Sequence, residues 1–319
     1  MSPERRPRRP GAGAPRGARG GGSASPRPAA RAGAVRGRPA PGTHAGTGRA
    51  GEAAEHAASR RRRRDEDELG GEQVEGRQAV RELLRARTRA VSEVLVADGR
   101  EPSPAIDEIV SLARASGTPV RHVSGQQLAA RSTTEVPQGV VAFAEPLAPT
   151  DLAELVVRAG GPSGRQPLLV VFDGVTDPHN LGSALRSAVS AGATGAVLAK
   201  HRSAHVTATV AKAAAGAIEH LPIALVPGVG AALEQLGRAG VWTVGLDERG
   251  DRVVDELELA TEPLALVLGA EGRGLATLTR KRCDVLARIP LEGPLSSLNV
   301  SAAAAVALFA IARRRAGRG

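Results

Sequence analysis

The chain has 319 residues, 42% of them hydrophobic, and a formal net charge of +10 at pH 7. This length and apolar content suffice for two modest globular domains. Three Phe, one Trp and no Tyr exclude a function that depends on extensive aromatic stacking. The single cysteine, Cys283, excludes an internal disulfide framework and a multi-cysteine zinc site, and we interpret it as a structural thiol near a helix end.

The positive charge is concentrated at the amino terminus. Residues 1–64 contain 16 Arg and only three Glu, so the rest of the chain holds 27 of the 43 basic and 30 of the 33 acidic side chains. Large apolar residues are almost missing from this stretch, which predicts that residues 1–70 form a disordered Arg/Gly/Pro-rich basic tail. Such a tail could attract RNA through its phosphates or act as a solubilising extension, and its composition leaves both open.

Signals for export or membrane insertion do not appear in the pattern. The arginines of the tail have no amphipathic period, and no apolar signal-peptide core follows them. The longest run of small apolar residues, Ala302 to Ala312, is too short and too rich in alanine to span a bilayer. We therefore expect a cytoplasmic protein that does not associate with membranes.

A globular pattern begins after the acidic run at residues 65–68. Residues 71–146 are predicted to form a small α/β domain. Its predicted elements are a helix with Gly76, Ala79, Val80, Leu83 and Leu84 on one face, a helix over Ala105–Ala115, and strands over Val91–Val96, Pro119–Val123 and Gly139–Phe143. Residues 147–166, in a stretch rich in Pro, Gly and Ala, are predicted to be a partly helical linker.

Short apolar runs alternate with helical patterns in residues 167–319. The predicted strands are Leu168–Phe172, Ala196–Ala199, Ile223–Val226, Val241–Leu246, Leu264–Leu268 and Val285–Ile289, and the predicted helices lie after Asn180, near Val206–Ile218 and near Ala231–Ala239. Consecutive apolar residues joined by helices predict a parallel sheet that is covered on both faces. Ligands of such sheets bind at the carboxyl ends of the strands.

Glycines and small polar residues follow these strands. Asp173 comes directly after the first of them, and Gly269 directly after Leu264–Leu268. Neither a G-x-x-x-x-G-K-S/T loop nor a G-x-G-x-x-G loop after the first strand of either domain is present. Polar residues that simple packing does not require accompany the glycines: Asn180 where a helix N-cap belongs, Arg186 two turns further on, Glu271 inside the glycine turn, and Asn299 between Ser297 and Ser301.

Three segments carry a resemblance to a known family. They read Asp173-Gly-Val-Thr-Asp-Pro-His-Asn-Leu-Gly-Ser-Ala-Leu-Arg186, Leu268-Gly-Ala-Glu-Gly-Arg-Gly-Leu275 and Ile289-Pro-Leu-Glu-Gly-Pro-Leu-Ser-Ser-Leu-Asn-Val-Ser301. In this order and spacing they resemble the SpoU/TrmH branch of the SPOUT methyltransferases, over residues 72–316. The resemblance implies methylation of an RNA ribose 2′-hydroxyl from S-adenosylmethionine. It also implies a trefoil-knotted parallel-sheet domain over residues 167–319 and a homodimer whose partner helps to complete each active site.

The resemblance extends to the arrangement of the two domains. A small domain followed by this motif set looks most like the family's enzymes that methylate a guanosine in the peptidyl-transferase region of 23S ribosomal RNA. Residues 71–146 would then be a ribosomal-protein-like domain that binds the RNA substrate, either 23S ribosomal RNA or a large-subunit assembly intermediate. One departure concerns this domain, because relatives commonly carry His ahead of Gln138-Gly139-Val140, where this chain has Val136-Pro137.

The same resemblance supplies the candidate site residues. Cofactor contacts are expected from Gly269, Ile289 and Leu298, and the candidate catalytic residues are Arg186, Asn180, Glu271, Ser297 and Asn299. A guanidinium cannot easily accept a proton near neutrality, so we expect Arg186 to hold a substrate phosphate or the developing alkoxide, with Glu271 orienting Arg186 or closing a motif turn. His179 is interpreted as a surface ring, and no spacing of His, Asp or Glu suggests a metal.

Two other functions remain open. The motifs define the chemistry and not the nucleotide, so the substrate could be transfer RNA or another ribosomal RNA site, as in an antibiotic-resistance enzyme. A non-catalytic RNA-binding or ribosome-assembly protein could also retain the fold. The intact Asn180, Arg186, Glu271 and Asn299 favour an enzyme.

Overall fold

The computed structural model describes residues 69, 72–99, 103–159, 166–201, 203–294 and 297–317. Apart from Leu69, the predicted basic tail of residues 1–70 lies outside them. The described chain contains two β-sheets, one of four strands in the amino-terminal part and one of seven strands in the carboxyl-terminal part.

The first sheet has the strand order β1-β4-β2-β3. Its strands are β1 (Gln73–Glu75), β2 (Val91–Ala97), β3 (Val120–Val123) and β4 (Val140–Ala144), and its helices are α1 (Arg77–Ala86), α2 (Pro104–Ala115) and α3 (Gly125–Arg131). The strand β4 runs antiparallel to both of its neighbours, whereas β2 and β3 are parallel. The sequence patterns did not predict β1 and α3, because three and seven residues are too few to establish a period.

A buried carboxylate holds the loop that leads from α3 to β4. Glu75 Oε1 accepts hydrogen bonds from Thr133 N at 2.6 Å and from Thr133 Oγ1 at 2.8 Å, and Thr134 donates through both its backbone N and its hydroxyl. Burial raises the pKa of this carboxyl, but the hydrogen bonds from Thr134 and Thr133 outweigh burial and leave the pKa below its ordinary value.

Glu75→Gln is expected to destabilise the protein at neutral pH by about 1–3 kcal/mol, because an amide accepts at only one atom and leaves buried donors unpaired. A lowered native pKa contributes stability that is present above the unfolded pKa of Glu and is lost as the pH falls through the native pKa. The difference between wild type and variant in urea unfolding should therefore be full at pH 7 and shrink toward pH 3. An equal difference at both pH values would contradict this role of the Glu75 charge.

The second sheet has the strand order β7-β6-β5-β10-β8-β11-β9, and every neighbouring pair is parallel. The predicted parallel sheet is thus confirmed. Its strands are β5 (Leu168–Asp173), β6 (Gly195–Ala199), β7 (Ile223–Val226), β8 (Trp242–Leu246), β9 (Arg252–Val253), β10 (Leu264–Gly269) and β11 (Val285–Arg288). The short edge strand β9 was not predicted.

Helices cover both faces of this sheet, because its central strands β5 and β10 carry uninterrupted apolar runs, Leu168–Phe172 and Leu264–Leu268. In β5, Leu168, Val170 and Phe172 face one core, and Leu169 and Val171 face the other. The helices α5 (Pro178–Ser190), α6 (Ala208–Ala213) and α9 (Val300–Arg315) contribute to the first core, and α4 (Leu152–Ala159) and α7 (Val229–Arg238) to the second. A short helix, α8 (Thr277–Arg282), packs against α7.

The segment predicted as a linker is packed onto the second sheet. Leu152 and Leu155 of α4 are buried in the second core, and Thr150 N donates a hydrogen bond to Ile223 O at 2.8 Å. The helix predicted near Val206–Ile218 is also interrupted. It consists of α6 and a 3-10 turn at Ala217–His220, separated by Gly216, whose φ of 80° is not helical.

The last helix is tied to the sheet at its carboxyl end. The guanidinium of Arg315 donates hydrogen bonds of 2.6 to 2.9 Å to the carbonyl oxygens of Gln166, Pro167, Ala260 and Glu262. These contacts join α9 to the chain just before β5 and just before β10. They fix the helix whose opposite end enters the candidate site. Among the described residues, no helix is both long and apolar enough to cross a membrane.

Candidate active site

A cleft of about 1170 Å³ opens where β8, β10 and β11 end. It is lined mainly by residues 246–249, 268–275, 288–294 and 297–300. Gly269, Ile289 and Leu298, the predicted cofactor contacts, all line it, although they come from three separate segments. Leu298 is 41% exposed, so an apolar side chain stands open to the cleft. The cleft combines apolar surface with polar backbone, as small-molecule sites do.

The glycine turn after β10 is packed too tightly to accept a side chain at Gly269. A Cβ placed on Gly269 would lie 2.2 Å from the carbonyl carbon of Gly274. Ala270 N donates to Gly274 O at 3.0 Å, and Gly274 N donates to Ala270 O at 2.8 Å. Gly272 and Gly274 have φ values of 71° and 63°, in the left-handed region that favours glycine. At its glycines the turn therefore presents backbone groups at the strand end.

Three of the predicted catalytic residues form one hydrogen-bonded cluster. Glu271 Oε1 accepts from the side-chain amides of both Asn180 and Asn299, at 3.0 Å for Asn299. Asn299 Nδ2 also donates to Asn180 Oδ1 at 3.0 Å. The three residues lie on different segments, namely α5, the glycine turn and the start of α9. A single carboxylate thus holds the three motif segments together at the carboxyl ends of the strands.

The cluster also caps the last helix. Asn299 is the N-cap of α9, and its Oδ1 accepts from Ser301 N at 2.8 Å, from Ser301 Oγ at 2.6 Å and from Ala302 N at 3.4 Å. The amide group of Asn299 therefore bonds the helix through its oxygen and the cluster through its nitrogen. Rotation of this side chain would break both sets of bonds.

The interpretation of Asn180 as a helix cap is wrong. The N-cap of α5 is Asp177, whose Oδ1 accepts from His179 N at 2.7 Å, and Pro178 occupies the first helical turn. The dipeptide Asp-Pro is itself a signal for a helix start, since proline suits the first turn and aspartate suits the cap. Because Asp177 caps the helix, the side chain of Asn180 is available to bond Glu271.

Arg186 lies away from this cluster within one chain. It is exposed on α5, six residues after Asn180, a spacing that places it roughly 120° around the helix. Its side chain has no hydrogen-bond or ion-pair partner in the part of the chain that the structure describes, and it does not line the cleft. Glu271 Oε1 accepts from the two asparagine amides, and the orientation of Arg186 by Glu271 that we expected does not occur within one chain.

Ser297 is exposed and lines the cleft two residues before Asn299. Two acidic residues that our sequence reasoning did not select also contribute to the site. Asp173 Oδ2 accepts from Ala276 N at 2.8 Å and joins the end of β5 to the end of the glycine turn. Asp247, which directly follows β8, pairs with Arg280 at 3.2 Å on the cleft wall. Asp173 ends β5 and Asp247 follows β8, and this position at the carboxyl ends of strands could have identified both.

Cys283 has the properties of a structural thiol. Its Sγ donates to Thr279 O at 3.3 Å, and burial, with the negative charges of Asp284, Asp173 and Asp247, raises its pKa to about 12. The neighbouring Lys281 and Arg282 do not offset this effect. Among the described residues, no group of three or more His, Cys, Asp or Glu could hold a metal ion.

Alkylation of Cys283 by iodoacetamide at pH 8 is expected to be at least about 100-fold slower in the native protein than in urea, because the thiolate is the reactive form. As Cys283 is the chain's single cysteine, mass spectrometry of the intact protein reports this site alone. Equal rates in the two conditions would show that the thiol is accessible and ionised. The Cys283→Ala protein serves as the unreactive control.

Comparisons with known proteins assign these features to a family. The model of the SpoU rRNA methylase family matches residues 167–309, and the model of RNA 2′-O ribose methyltransferase substrate-binding domains matches residues 73–150. The 23S rRNA (guanosine-2′-O-)-methyltransferase RlmB of Pseudomonas aeruginosa is 41% identical over 247 residues, which cover 76% of this chain and 97% of that protein. RlmB of Haemophilus influenzae is 41% identical over 253 residues, covering 77% and 99%.

A solved structure agrees with these matches. The SpoU methyltransferase AviRb of Streptomyces viridochromogenes, in complex with the cofactor AdoMet, superposes with a TM-score of 0.63 at 30% identity, over 76% of this chain and 90% of that one. The family models, the two relatives and this structure together show that the chain belongs to the SpoU rRNA methylase family.

Proposed function

We propose that this chain is an enzyme that transfers a methyl group from S-adenosylmethionine to the ribose 2′-hydroxyl of a guanosine in 23S ribosomal RNA. The observation that carries the proposal is the cluster of Asn180, Glu271 and Asn299, which joins the first motif segment to the two segments that line the cleft. Two relatives that match this chain over 97% and 99% of their own length bear the name of this activity.

The residues of the cleft fit the cofactor. Gly269 and its turn offer backbone groups that can bond an adenine, and Ile289 and Leu298 offer apolar surface beside them. When bound, S-adenosylmethionine supplies an electrophilic methyl group on a sulfonium. The chain's own residues then have to hold the ribose hydroxyl in line with that methyl and stabilise the oxygen as it loses its proton.

We assign Asn180, Glu271 and Asn299 to positioning this reaction, with Ser297 at the cleft wall available to bond the substrate. Arg186 is assigned to the charge that develops on the substrate, since a guanidinium remains protonated and offers a fork of donors to a phosphate or an alkoxide. The proton would pass to a phosphate oxygen, to water or to a strongly perturbed arginine. None of these steps requires a metal.

We also propose that the active site is completed in a homodimer. Within one chain Arg186 is exposed and does not line the cleft, so a second chain has to supply it if it acts there. The helix α9, which packs against α5, exposes the apolar side chains of Val306 and Phe309, each at 41%, and these offer a contact surface for that second chain.

We further propose that the second domain contains a trefoil knot and works in the cytoplasm, where ribosomal RNA would be its partner. The course of the chain is compatible with a knot. The strand β10 lies between β5 and β8, the next strand β11 lies beyond β8, and α9 then returns to pack against α5.

The experiment that tests the proposed function is transfer of labelled methyl from S-adenosylmethionine to unmodified 23S ribosomal RNA and to transfer RNA, followed by mapping of the modified ribose. We expect label at a guanosine of the 23S peptidyl-transferase region. Label in transfer RNA alone would show that transfer RNA, and not 23S ribosomal RNA, is the substrate. Cofactor binding without label on any RNA or ribosomal particle would favour a non-catalytic RNA-binding or assembly protein.

A further inference from the structure

The two domains meet around a buried ion pair. Arg89, between α1 and β2, reaches Glu219 in the 3-10 turn that follows α6. Their side chains are 2% and 1% exposed. Arg89 Nη2 donates to Glu219 Oε1 at 2.6 Å, and Arg89 Nε donates to Glu219 Oε2 at 3.2 Å. The guanidinium and the carboxylate are therefore paired through two parallel bonds, which fixes their relative orientation as well as their distance.

The remaining polar atoms of this pair are also bonded, one across the same boundary and one within the first domain. Thr88 Oγ1 donates to Glu219 Oε2 at 3.1 Å, and Arg89 Nη1 donates to Glu145 O at 3.0 Å. A buried ion pair is costly unless its geometry is good and its other hydrogen-bonding groups are satisfied. This pair meets both conditions only while the two domains stay in contact. Separation of the domains would exchange these bonds for water.

The backbones of the two domains are in close contact beside the pair. A Cβ on Gly216 would lie 2.6 Å from Glu82 Cβ and 3.1 Å from Ala79 Cα, so α1 rests directly on the backbone of this turn. Two further side-chain contacts cross the boundary at its ends. His220 Nε2 lies 3.0 Å from Glu82 Oε2, and Lys212 Nζ donates to Thr134 Oγ1 at 3.1 Å.

Domains within a chain commonly move relative to each other unless their interface is large or specific. We propose that Arg89 and Glu219 are a positioning pair that fixes the RNA-binding domain on the methyltransferase domain. The RNA gripped by the first domain then presents one particular ribose to the cleft. This inference rests on the proposed function. According to this inference, the target nucleotide is selected by the fixed distance between the RNA-binding surface of the first domain and the cleft of the second, in addition to contacts inside the cleft.

A rigid connection has a kinetic consequence. When one domain has bound the RNA, the effective concentration of the target ribose at the cleft depends on how narrowly the second domain is oriented. Opening the interface would widen the range of orientations that the second domain adopts relative to the bound RNA. We expect the KM for RNA to rise about tenfold or more and methylation to spread to neighbouring riboses, whereas the affinity for S-adenosylmethionine, which depends on the second domain alone, stays unchanged.

The test compares full-length Glu219→Gln with wild type and with Glu108→Gln. Glu108 pairs with Arg85 inside the first domain, and that pair is exposed, so its variant is a matched control for loss of a carboxylate. Hydrogen–deuterium exchange of residues 77–88 and 212–220 reports whether the interface is closed. Methyl transfer kinetics, mapping of the methylated ribose and cofactor affinity are measured on the same preparations. We expect only Glu219→Gln to raise both exchange at the interface and the KM for RNA.

A second variant covers the case in which Glu219→Gln does not fold. The double change Arg89→Met with Glu219→Met replaces the ion pair by apolar side chains of similar length, a replacement that buried pairs often tolerate. If it closes the interface again, the KM and the methylation site should return toward those of wild type. A KM or methylation site that does not follow interface protection across these proteins would overturn the inference. Wild type without any methyl transfer would instead refute the proposed function, and exchange would still decide whether the pair holds the domains.

Discussion

Gly269→Ala is expected to weaken the binding of S-adenosylmethionine severely. The added Cβ would lie 2.2 Å from Gly274 C and 2.3 Å from Leu275 N, both of which are backbone atoms that cannot rotate away. The glycine turn has to open, and the backbone groups that face the cleft move with it. We expect the Kd for the cofactor, measured by isothermal titration calorimetry, to rise by about 100-fold or more.

The matched control for this variant is Gly293→Ala. Gly293 also lines the cleft, but a Cβ there would have no atom within 4 Å, and its φ is not in the left-handed region. This variant should bind the cofactor like wild type. Thermal unfolding of both proteins without ligand separates a local effect from loss of the fold. If Gly269→Ala is folded and binds the cofactor normally, the cleft is not the cofactor site.

Arg186→Ala is expected to lower kcat for methyl transfer by about 10³-fold while the affinity for S-adenosylmethionine is preserved. The side chain is exposed on α5 and lies outside the cleft, so its removal leaves no cavity in the chain and no buried partner without a hydrogen bond. The loss should therefore appear in turnover and not in stability. Wild-type turnover in this variant would remove Arg186 from the catalytic set.

A mixture of the two inactive proteins tests where Arg186 acts. In a dimer of one Arg186→Ala chain and one Gly269→Ala chain, one of the two sites combines an intact cofactor cleft with an intact arginine from the other chain. Random assortment should then restore roughly a quarter of the wild-type activity, because half of the dimers are mixed and each has one complete site. If each site uses its own Arg186, no mixed dimer has a complete site and the mixture stays inactive.

The fold class and the segments of the candidate site could be predicted from local sequence patterns. Consecutive apolar residues such as Leu168–Phe172 predict a buried parallel strand, and polar or glycine residues directly after such strands predict a site at their carboxyl ends. Both signals are local, since they depend on neighbouring positions of the chain. For the same reason Asp177 could have been recognised as the cap of α5 from the proline that follows it.

Which of these residues meet became visible only in the folded chain. Glu271 bonds Asn180, 91 positions earlier in the chain, and Asn299, 28 positions later. The pairing of Arg89 with Glu219 spans 130 positions and joins two domains, each of which has a hydrophobic core of its own. No period or local motif encodes such contacts, because they depend on how complete elements pack. Charged side chains are usually exposed to solvent in folded proteins, so the sequence gives no reason to expect these two to be buried. Their burial at the interface between the domains makes them a specific pair.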